Sequence, residues 1–279
     1  MTPVLAYWVD RLDPFLIHFT GRFGIRYYGL GFAAGFIVGA WLLAVYARKG
    51  KSLLAVSKIS DFMVSAVLGV VLGGRIGSYL LYDGWRNFGT DPMGIFKVWD
   101  GGMSFHGGLL GVIIAVAWYA RSEKIPLVHL FDLLATAAPA GIFFVRLANF
   151  INGELWGHVS TVPWAVIFPR SADPGTPVDQ IAPRHPSQLY EAGMEGALLF
   201  TYMQLRFWKS DAAKAKPGRL AGEFLIAYAV ARIVGETFRE PDASLIMGLS
   251  RGTFYSLFMI AAGLFMILRK QPPLPDTLA

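Results

Sequence analysis

Long apolar stretches alternate with short polar loops along most of this chain. A bilayer hydrocarbon core is about 30 Å thick and is crossed by roughly 20 apolar residues in a helix. The pattern predicts seven such helices, at Tyr28–Tyr46, Phe62–Tyr82, Phe105–Ala120, Leu127–Phe150, Ser187–Phe207, Leu220–Phe238 and Gly252–Leu268. We therefore expect an all-α polytopic membrane protein with seven transmembrane helices.

Two regions outside these stretches have a different pattern. Apolar residues alternate on both sides of Thr20-Gly21, which predicts a small hairpin. Residues 151–186 are too long for a connector and include a strand-like segment, Val162–Phe168. The predicted organisation is an N-terminal interfacial arm (1–27), transmembrane helices 1–4 (28–150), a small periplasmic head or cap (151–186), transmembrane helices 5–7 (187–268) and a cytoplasmic tail (269–279).

The orientation follows from the cations in the loops. Lys and Arg are dense after the first, third, fifth and seventh stretches and sparse in the longer loops between them. The positive-inside rule then places the N-terminus outside and the C-terminus in the cytoplasm. The net charge of +6 reflects this topology and a contact with anionic membrane lipid, so we expect no nucleic-acid binding. The first twenty residues lack a basic start and a cleavage pattern, so we expect no signal peptide.

The composition excludes several classes of protein and several kinds of site. With 54% hydrophobic and 16% charged residues, the chain fits neither a water-soluble globule nor a disordered protein. It has no cysteine, which excludes disulfides, thiolate metal sites and a protein-borne thiol nucleophile. Its five histidines lack metal-binding spacings, so we expect neither a metal site nor a cofactor.

Three arginines lie inside predicted helices, where a charge costs roughly 3 kcal/mol at the bilayer centre. They are Arg75, Arg146 and Arg232, all toward the outer half. One alone is equally compatible with snorkelling to the headgroups or with a structural ion pair. Three in one leaflet indicate a site for an anionic headgroup.

The sixth stretch has the clearest spacing. Tyr228, Arg232, Glu236 and Arg239 fall at i, i+4, i+8 and i+11 and form one stripe. A structural ladder of ion pairs is one explanation. However, Glu236 alone cannot neutralise both flanking arginines, so we expect a net positive stripe that faces an anion.

The fourth stretch ends in a second polar group. Arg146 and Asn149 share a face at i, i+3. Gly153 and Gly157 interrupt the helix, which places Glu154 close to its end. Asn and acidic residues are also common at helix ends. The combination of Arg, Asn and Glu at a membrane boundary indicates a site more specifically than any one of them.

Glycines flank Ser104 and His106 at the start of the third stretch. Histidine side chains commonly act as bases or hydrogen-bond donors, so His106 is a candidate for either role; an interfacial histidine bonded to the backbone is the alternative. No Gly-x-Ser-x-Gly is present, so we do not expect a serine hydrolase.

Other polar positions have structural explanations. Tyr28 fits the aromatic belt at a membrane interface. Asp132 lies in the cytoplasmic half of its helix, far from the outer polar groups. Gln188, Glu191 and Glu195 share a stripe that is compatible with packing against the cap.

Five segments together carry a family resemblance: Gly73–Gly77, Trp99–Gly108, Arg146–Gly157, Arg184–Glu191 and Phe238–Asp242. In this order they resemble motifs of the bacterial phosphatidylglycerol–prolipoprotein diacylglyceryl transferases. The resemblance runs from about Asp13 to the last stretch. The chain departs from the usual pattern at Val145 and Ala148, where glycine is usual, and at His158, where arginine is common.

The resemblance implies a reaction and a location. A diacylglyceryl group moves from phosphatidylglycerol to the thiol of the lipobox cysteine in a prolipoprotein signal peptide, giving a thioether and glycerol 1-phosphate. The enzyme would span the bacterial cytoplasmic (inner) membrane, with its active site facing the outer leaflet. The implied site consists of Tyr28, His106, Arg146, Asn149, Glu154, Gly157, Tyr228, Arg232 and Glu236, to which the charge pattern adds Arg75 and Arg239.

The residues fit this chemistry. The attacking sulfur comes from the substrate, which is consistent with a chain that lacks cysteine. A phosphate monoester leaves with growing negative charge, which suits arginine forks. We assign Arg146 and Arg232 to the phosphate, Asn149 and Glu154 to orienting Arg146 or the glycerol hydroxyls, and His106 to the base. The field of the arginines alone is an alternative way to acidify the thiol.

A transporter or flippase for an anionic lipid or metabolite is the main rival, because a cationic intramembrane cavity would serve it too. Such a protein is expected to have inverted repeats and polar groups that reach both leaflets, whereas here they concentrate in the outer half. A non-catalytic membrane scaffold would not need buried arginines.

Overall fold

The computed structural model describes residues 7–20, 23–82, 92–96, 102–241, 243–270 and 274. These residues form two compact units. The first comprises the described residues of Met1–Trp41 and Asp132–Leu274, and the second comprises those of Leu42–Phe131.

Helices account for most of the described chain. The elements in order are β1 (Trp8–Val9), β2 (Phe15–Thr20), β3 (Phe23–Arg26), α1 (Tyr27–Arg48), α2 (Ile59–Gly77), α3 (Phe105–Ser122), α4 (Leu127–Ile151), β4 (Val166–Ile167), α5 (Ser187–Glu191), α6 (Leu199–Lys209), α7 (Ala212–Ala215), α8 (Arg219–Glu236) and α9 (Arg251–Leu268). A π-helix extends α2 over Ser78–Tyr82, and another joins α5 to α6 over Ala192–Leu198. Single 3₁₀ turns lie at Val56–Lys58, Pro92–Phe96, Pro169–Ser171 and Val178–Gln180.

Each of the seven predicted stretches folds as helix. Four helices of the described chain are long and apolar enough to cross a membrane: Tyr27–Arg48, Val56–Leu80, Leu127–Ile151 and Arg251–Leu268. The other three stretches are more polar or interrupted, because α3 has His106 and Arg121 near its ends, a π-helix divides α5 from α6, and α8 includes two Arg–Glu pairs. The architecture is that of a helical membrane protein, and the count of seven transmembrane helices stays a prediction.

In the first unit, α8 packs against α9, α5, α6 and the π-helix between the last two. Its start is held by Asp132 of α4, which is fully buried. The Asp132 carboxylate accepts hydrogen bonds from the backbone N–H of Gly218 at 2.6 Å and of Ala221 at 2.7 Å. These are amides that the helix itself leaves without partners, so the structural role expected for Asp132 is confirmed.

The strands of the first unit lie in the predicted arm and head. β2 and β3 pair antiparallel, with Ile17 opposite Ile25, which confirms the hairpin; Gly21 of its turn lies outside the described residues. β4 is shorter than the predicted strand at Val162–Phe168. It pairs in parallel with β1, with Trp8 opposite Val166, a long-range pairing that no local pattern predicts.

In the second unit, α2 packs closely against α3. A Cβ atom added to Gly73 would lie 2.4 Å from the carbonyl oxygen of Gly107, and one added to Gly111 would lie 2.0 Å from that of Gly69. Small residues that let two backbones approach are typical of helix contacts in membranes. Glycines here therefore serve the packing of α2 on α3.

Candidate active site

The end of α4 places Glu154 over the last helical turn. Gly153 has a positive φ of 59°, its N–H donates to the carbonyl of Phe150 at 2.9 Å, and the N–H of Glu154 donates to that of Asn149 at 3.1 Å. This is a Schellman motif, which glycine favours because it has no Cβ. The motif brings Asn149 Nδ2 to 2.7 Å from Glu154 Oε1, so the predicted grouping of these two residues is confirmed.

Three amide side chains surround Glu154. Asn152 Nδ2 donates to Glu154 Oε1 at 3.3 Å, and Gln188 Nε2 of α5 donates to the Glu154 carbonyl oxygen at 2.5 Å. With their N–H groups used in this way, the side-chain oxygens of Asn149, Asn152 and Gln188 are buried and accept no hydrogen bond from the described residues. Buried acceptors without a partner are costly, so this group is suited to a ligand with hydroxyl or N–H donors.

Arg146 of α4 and Arg232 of α8 share two carboxylates. Arg146 donates to Glu195 Oε2 from Nη2 at 2.9 Å and from Nε at 3.1 Å, and its Nη1 lies 3.1 Å from Glu191 Oε2. Arg232 Nη1 lies 2.5 Å from Glu191 Oε1 and 3.4 Å from Glu195 Oε1. The two predicted phosphate-binding arginines are therefore neighbours and are not locked each to its own carboxylate.

Glu236 and Arg239 complete this group. Arg232 Nη2 donates to Glu236 Oε1, and Arg239 Nη1 lies 3.4 Å from Glu191 Oε1. The side chains of Arg146 and Arg232 are only 14% and 13% exposed. We term the six side chains the arginine–glutamate cluster: Arg146, Glu191, Glu195, Arg232, Glu236 and Arg239.

The charges of the arginine–glutamate cluster balance, with three guanidinium groups and three carboxyl groups. The expectation of a net positive stripe is therefore wrong, because the fold adds Glu191 of α5 and Glu195 of the π-helix that follows it. Packing against the cap is also the wrong explanation for these two residues, since both pair with arginines. Their presence in a predicted membrane stretch was the available signal, because buried carboxylates need partners there.

Two tyrosines border these groups. Tyr228, one helical turn before Arg232, interacts electrostatically with Glu195 and Arg146. Tyr28, at the start of α1, interacts with Asn149 and Glu154. The structure thus brings together most of the predicted site: Tyr28, Arg146, Asn149, Glu154, Tyr228, Arg232, Glu236 and Arg239.

Gly157 supports the cluster through its backbone. It forms a β-bridge with Arg239, and its N–H donates to the carbonyl of His185 at 2.9 Å. A Cβ at this position would lie 2.3 Å from the carbonyl oxygen of Phe238. Close backbone approach therefore explains the glycine, and its predicted contact with substrate stays a prediction.

Arg75 and His106 belong to the second unit. Arg75 is buried and donates to the carbonyl oxygens of Gly94 at 2.5 Å, Ile95 at 3.1 Å and Gly102 at 3.1 Å. This guanidinium thus holds the backbone before α3, a structural role. Its predicted role in substrate binding stays a prediction.

His106 lies in the first turn of α3, and its side chain is exposed. The neighbouring Ser104 Oγ accepts a hydrogen bond from the Gly107 N–H at 3.1 Å and caps the helix. The cap explains Ser104 without a hydrolase. The role of His106 as a base stays a prediction.

Comparison with known proteins places this chain in a family. The family model for the prolipoprotein diacylglyceryl transferases matches residues 14–269. The chain belongs to this family. The matched region includes the whole arginine–glutamate cluster and the amide group around Glu154.

Relatives of this diacylglyceryl transferase family member are similar over nearly their full length. A protein from Rhodospirillum rubrum is 43% identical over 94% of this chain and 94% of its own. One from Bradyrhizobium diazoefficiens is 41% identical over 99% and 98%, and one from Bartonella bacilliformis is 45% identical over 92% and 92%. All three are named phosphatidylglycerol–prolipoprotein diacylglyceryl transferase.

Proposed function

We propose that this chain is a phosphatidylglycerol–prolipoprotein diacylglyceryl transferase. It moves the diacylglyceryl group of phosphatidylglycerol to the thiol of a lipobox cysteine in a prolipoprotein signal peptide. The products are a thioether and glycerol 1-phosphate. The observation that carries this proposal is the buried arginine–glutamate cluster, in a chain that is 41% to 45% identical to relatives with this name.

The cluster supplies the phosphate site. The substrate sulfur attacks a carbon of the diacylglyceryl group, the S–C bond forms, and the C–O bond to phosphate breaks. Arg146 and Arg232 take the negative charge that develops on the leaving phosphate. In a dry site such charge stabilisation contributes several kcal/mol to the transition state. Glu191 and Glu195 hold the two guanidinium groups in place until the lipid phosphate displaces part of this contact.

The amide group around Glu154 supplies the headgroup site. The glycerol hydroxyls of phosphatidylglycerol are hydrogen-bond donors, and the free side-chain oxygens of Asn149, Asn152 and Gln188 are acceptors. A headgroup that lacks these hydroxyls would leave the acceptors unpaired, which is an effective basis for specificity.

His106 is the proposed base for the thiol proton. His106→Gln is expected to abolish activity near neutral pH and to recover it in part at high pH, because a thiol with a pKa near 8.5 then ionises without help. A pH–activity profile measures this. A profile without recovery at high pH contradicts the base and indicates that His106 orients a substrate.

The proposed topology has seven transmembrane helices in the bacterial inner membrane, with the N-terminus periplasmic and the C-terminus cytoplasmic. The distribution of Lys and Arg among the loops supports it. The arginine–glutamate cluster, at the C-terminal end of α8, then faces the outer leaflet. Lipid and signal peptide enter sideways from the bilayer, and residues 151–186 cap the site.

The test is a reconstituted reaction. Purified protein, phosphatidylglycerol and a lipobox peptide are mixed, and the peptide mass is measured. The expected result is a diacylglyceryl mass gain that is absent for a peptide with Ser in place of the cysteine. No mass gain, together with lipid movement between the leaflets of vesicles, would instead favour a flippase.

A further inference from the structure

A pocket lined by cationic side chains lies at the other end of α8. A pocket of about 380 Å³ is lined by residues at the start of α8 and the end of α9. Lys216, Arg219, Arg269 and Lys270 supply its cations, and Met266–Leu268 supply an apolar wall. A phospholipid has the complementary groups, because its phosphate is anionic and its acyl chains are apolar.

Most of this positive charge is not neutralised. Arg219 Nε donates to Glu223 Oε1 at 2.9 Å, but Glu223 also accepts two hydrogen bonds from Arg206. Lys216, Arg269 and Lys270 are exposed and have no ion pair within the described chain. The pocket therefore retains a surplus of positive charge.

The backbone N–H groups at the start of α8 do not provide the anion site of this pocket. The N–H groups of Gly218 and Ala221 already donate to Asp132. Side chains would therefore hold an anion in this pocket, so its affinity should follow the number of lysine and arginine residues.

The pocket is separate from the arginine–glutamate cluster. Arg219 and Glu236 are 17 residues apart on α8, which is about 26 Å along a helix axis and close to the thickness of a hydrocarbon core. One headgroup cannot occupy both sites. The proposed transferase reaction uses only the cluster, and this inference does not depend on it.

We propose that this pocket binds a phosphate-bearing anion, with the phosphate on the cations and a lipid chain on Met266–Leu268. The apolar wall favours a phospholipid over free phosphate as the source. Basic pockets between helices at a membrane surface are known to bind anionic lipid headgroups. In the proposed topology the lipid belongs to the cytoplasmic leaflet.

Native mass spectrometry of the full chain in detergent tests this site. The probes are dioleoyl phosphatidic acid, dioleoyl phosphatidylcholine and inorganic phosphate. The pocket variant is Lys216→Gln, Arg269→Gln and Lys270→Gln together. The matched control is Arg48→Gln, Lys49→Gln and Arg121→Gln, which removes three exposed cations elsewhere.

We expect the unmodified chain and the control to retain phosphatidic acid in preference to phosphatidylcholine. The pocket variant should lose one bound phosphatidic acid, with an affinity for that site about a hundredfold weaker, as expected for three cations near a charged surface. Its transferase activity should be unchanged, which also shows that it folds. Equal retention of phosphatidic acid by the pocket variant overturns the proposal, as does equal retention of the two lipids by the unmodified chain.

Inorganic phosphate distinguishes the two sources of the anion. Displacement of phosphatidic acid by an equal concentration of phosphate supports the site and identifies free phosphate as its ligand. Retention of the lipid in excess phosphate supports the phospholipid.

Discussion

Helix α8 holds a group of Arg and Glu side chains near each end, and the two groups share their charges differently. Near its start, Arg206 donates to both oxygens of Glu223, at 2.7 and 2.8 Å, and Arg219 donates to one of them at 2.9 Å. Near its end, Arg232 divides its donors between three glutamates, two of which also pair with Arg146.

Burial separates the two groups as well. The side chains of Arg206 and Arg219 are 30% and 36% exposed, whereas those of Arg146 and Arg232 in the arginine–glutamate cluster are 14% and 13% exposed. A solvated arginine fork on one carboxylate is a satisfied pair and links α6 to α8. In the cluster Arg146 and Arg232 each contact more than one carboxylate, so a phosphate can replace one contact while others remain. Burial and the several carboxylate contacts of Arg146 and Arg232, rather than Arg–Glu pairing itself, distinguish the candidate site.

The largest expected effect distinguishes Arg232 of the arginine–glutamate cluster from Arg206 of the solvated group. Arg232→Lys keeps the charge but loses the planar fork, so we expect kcat/KM to fall by about 10²–10³, as for other lost transition-state donors. Arg206→Lys, the matched change in the solvated group, should stay within about threefold of the unmodified enzyme. The peptide mass assay measures both. Near-normal turnover of Arg232→Lys would contradict phosphate holding by a fork.

The next largest effect is expected when a carboxylate of the arginine–glutamate cluster is replaced. Glu195→Gln should lower kcat about tenfold, because Arg146 loses the partner that positions it, while KM for phosphatidylglycerol stays equal or falls, since the cluster gains net positive charge. Glu223→Gln should change neither constant. A raised KM with unchanged kcat for Glu195→Gln would show that Glu195 has no positioning role in the chemical step.

A smaller effect is expected on stability alone. Asp132→Asn replaces an acceptor of two α8 amides by a group with only one acceptor oxygen, which should cost about 1–2 kcal/mol. For a chain of this size that corresponds to a fall of about 2–8 °C in the melting midpoint, measured by tryptophan fluorescence. Asp179→Asn, at an exposed position, is the control. Loss of activity without a lower midpoint would instead give Asp132 a role in catalysis.

The local parts of the site could be predicted from the sequence. Helical spacing groups Arg232 with Glu236, and a glycine after α4 predicts the turn that brings Glu154 to Asn149. Both contacts depend on residues within five positions of one another, where backbone geometry determines the neighbours.

The long-range parts could not be predicted in the same way. Glu191 lies 41 residues from Arg232 and Glu195 lies 49 from Arg146. Only the packing of α5 and the following π-helix against α8, together with the ion pairs to Arg146 of α4, brings them together. The π-helix over Ala192–Leu198 adds a change of register that a 3.6-residue period does not anticipate. The pairing of β1 with β4 was missed for the same reason.

The smallest expected effect is a pH dependence at the site end of α8. His185 packs against Phe238 and Tyr190, and burial together with the nearby charge of His158 lowers the pKa of His185. His185 then takes up a proton at a higher pH in the unfolded chain than in the folded chain. The contribution of neutral His185 to stability is therefore complete above about pH 6.5 and is lost as pH falls through its lower pKa in the folded chain. Between pH 7 and pH 5 the melting midpoint should fall by about 1 °C less in His185→Gln than in the unmodified chain. An equal fall in both proteins would contradict a lowered pKa for His185 in the folded chain.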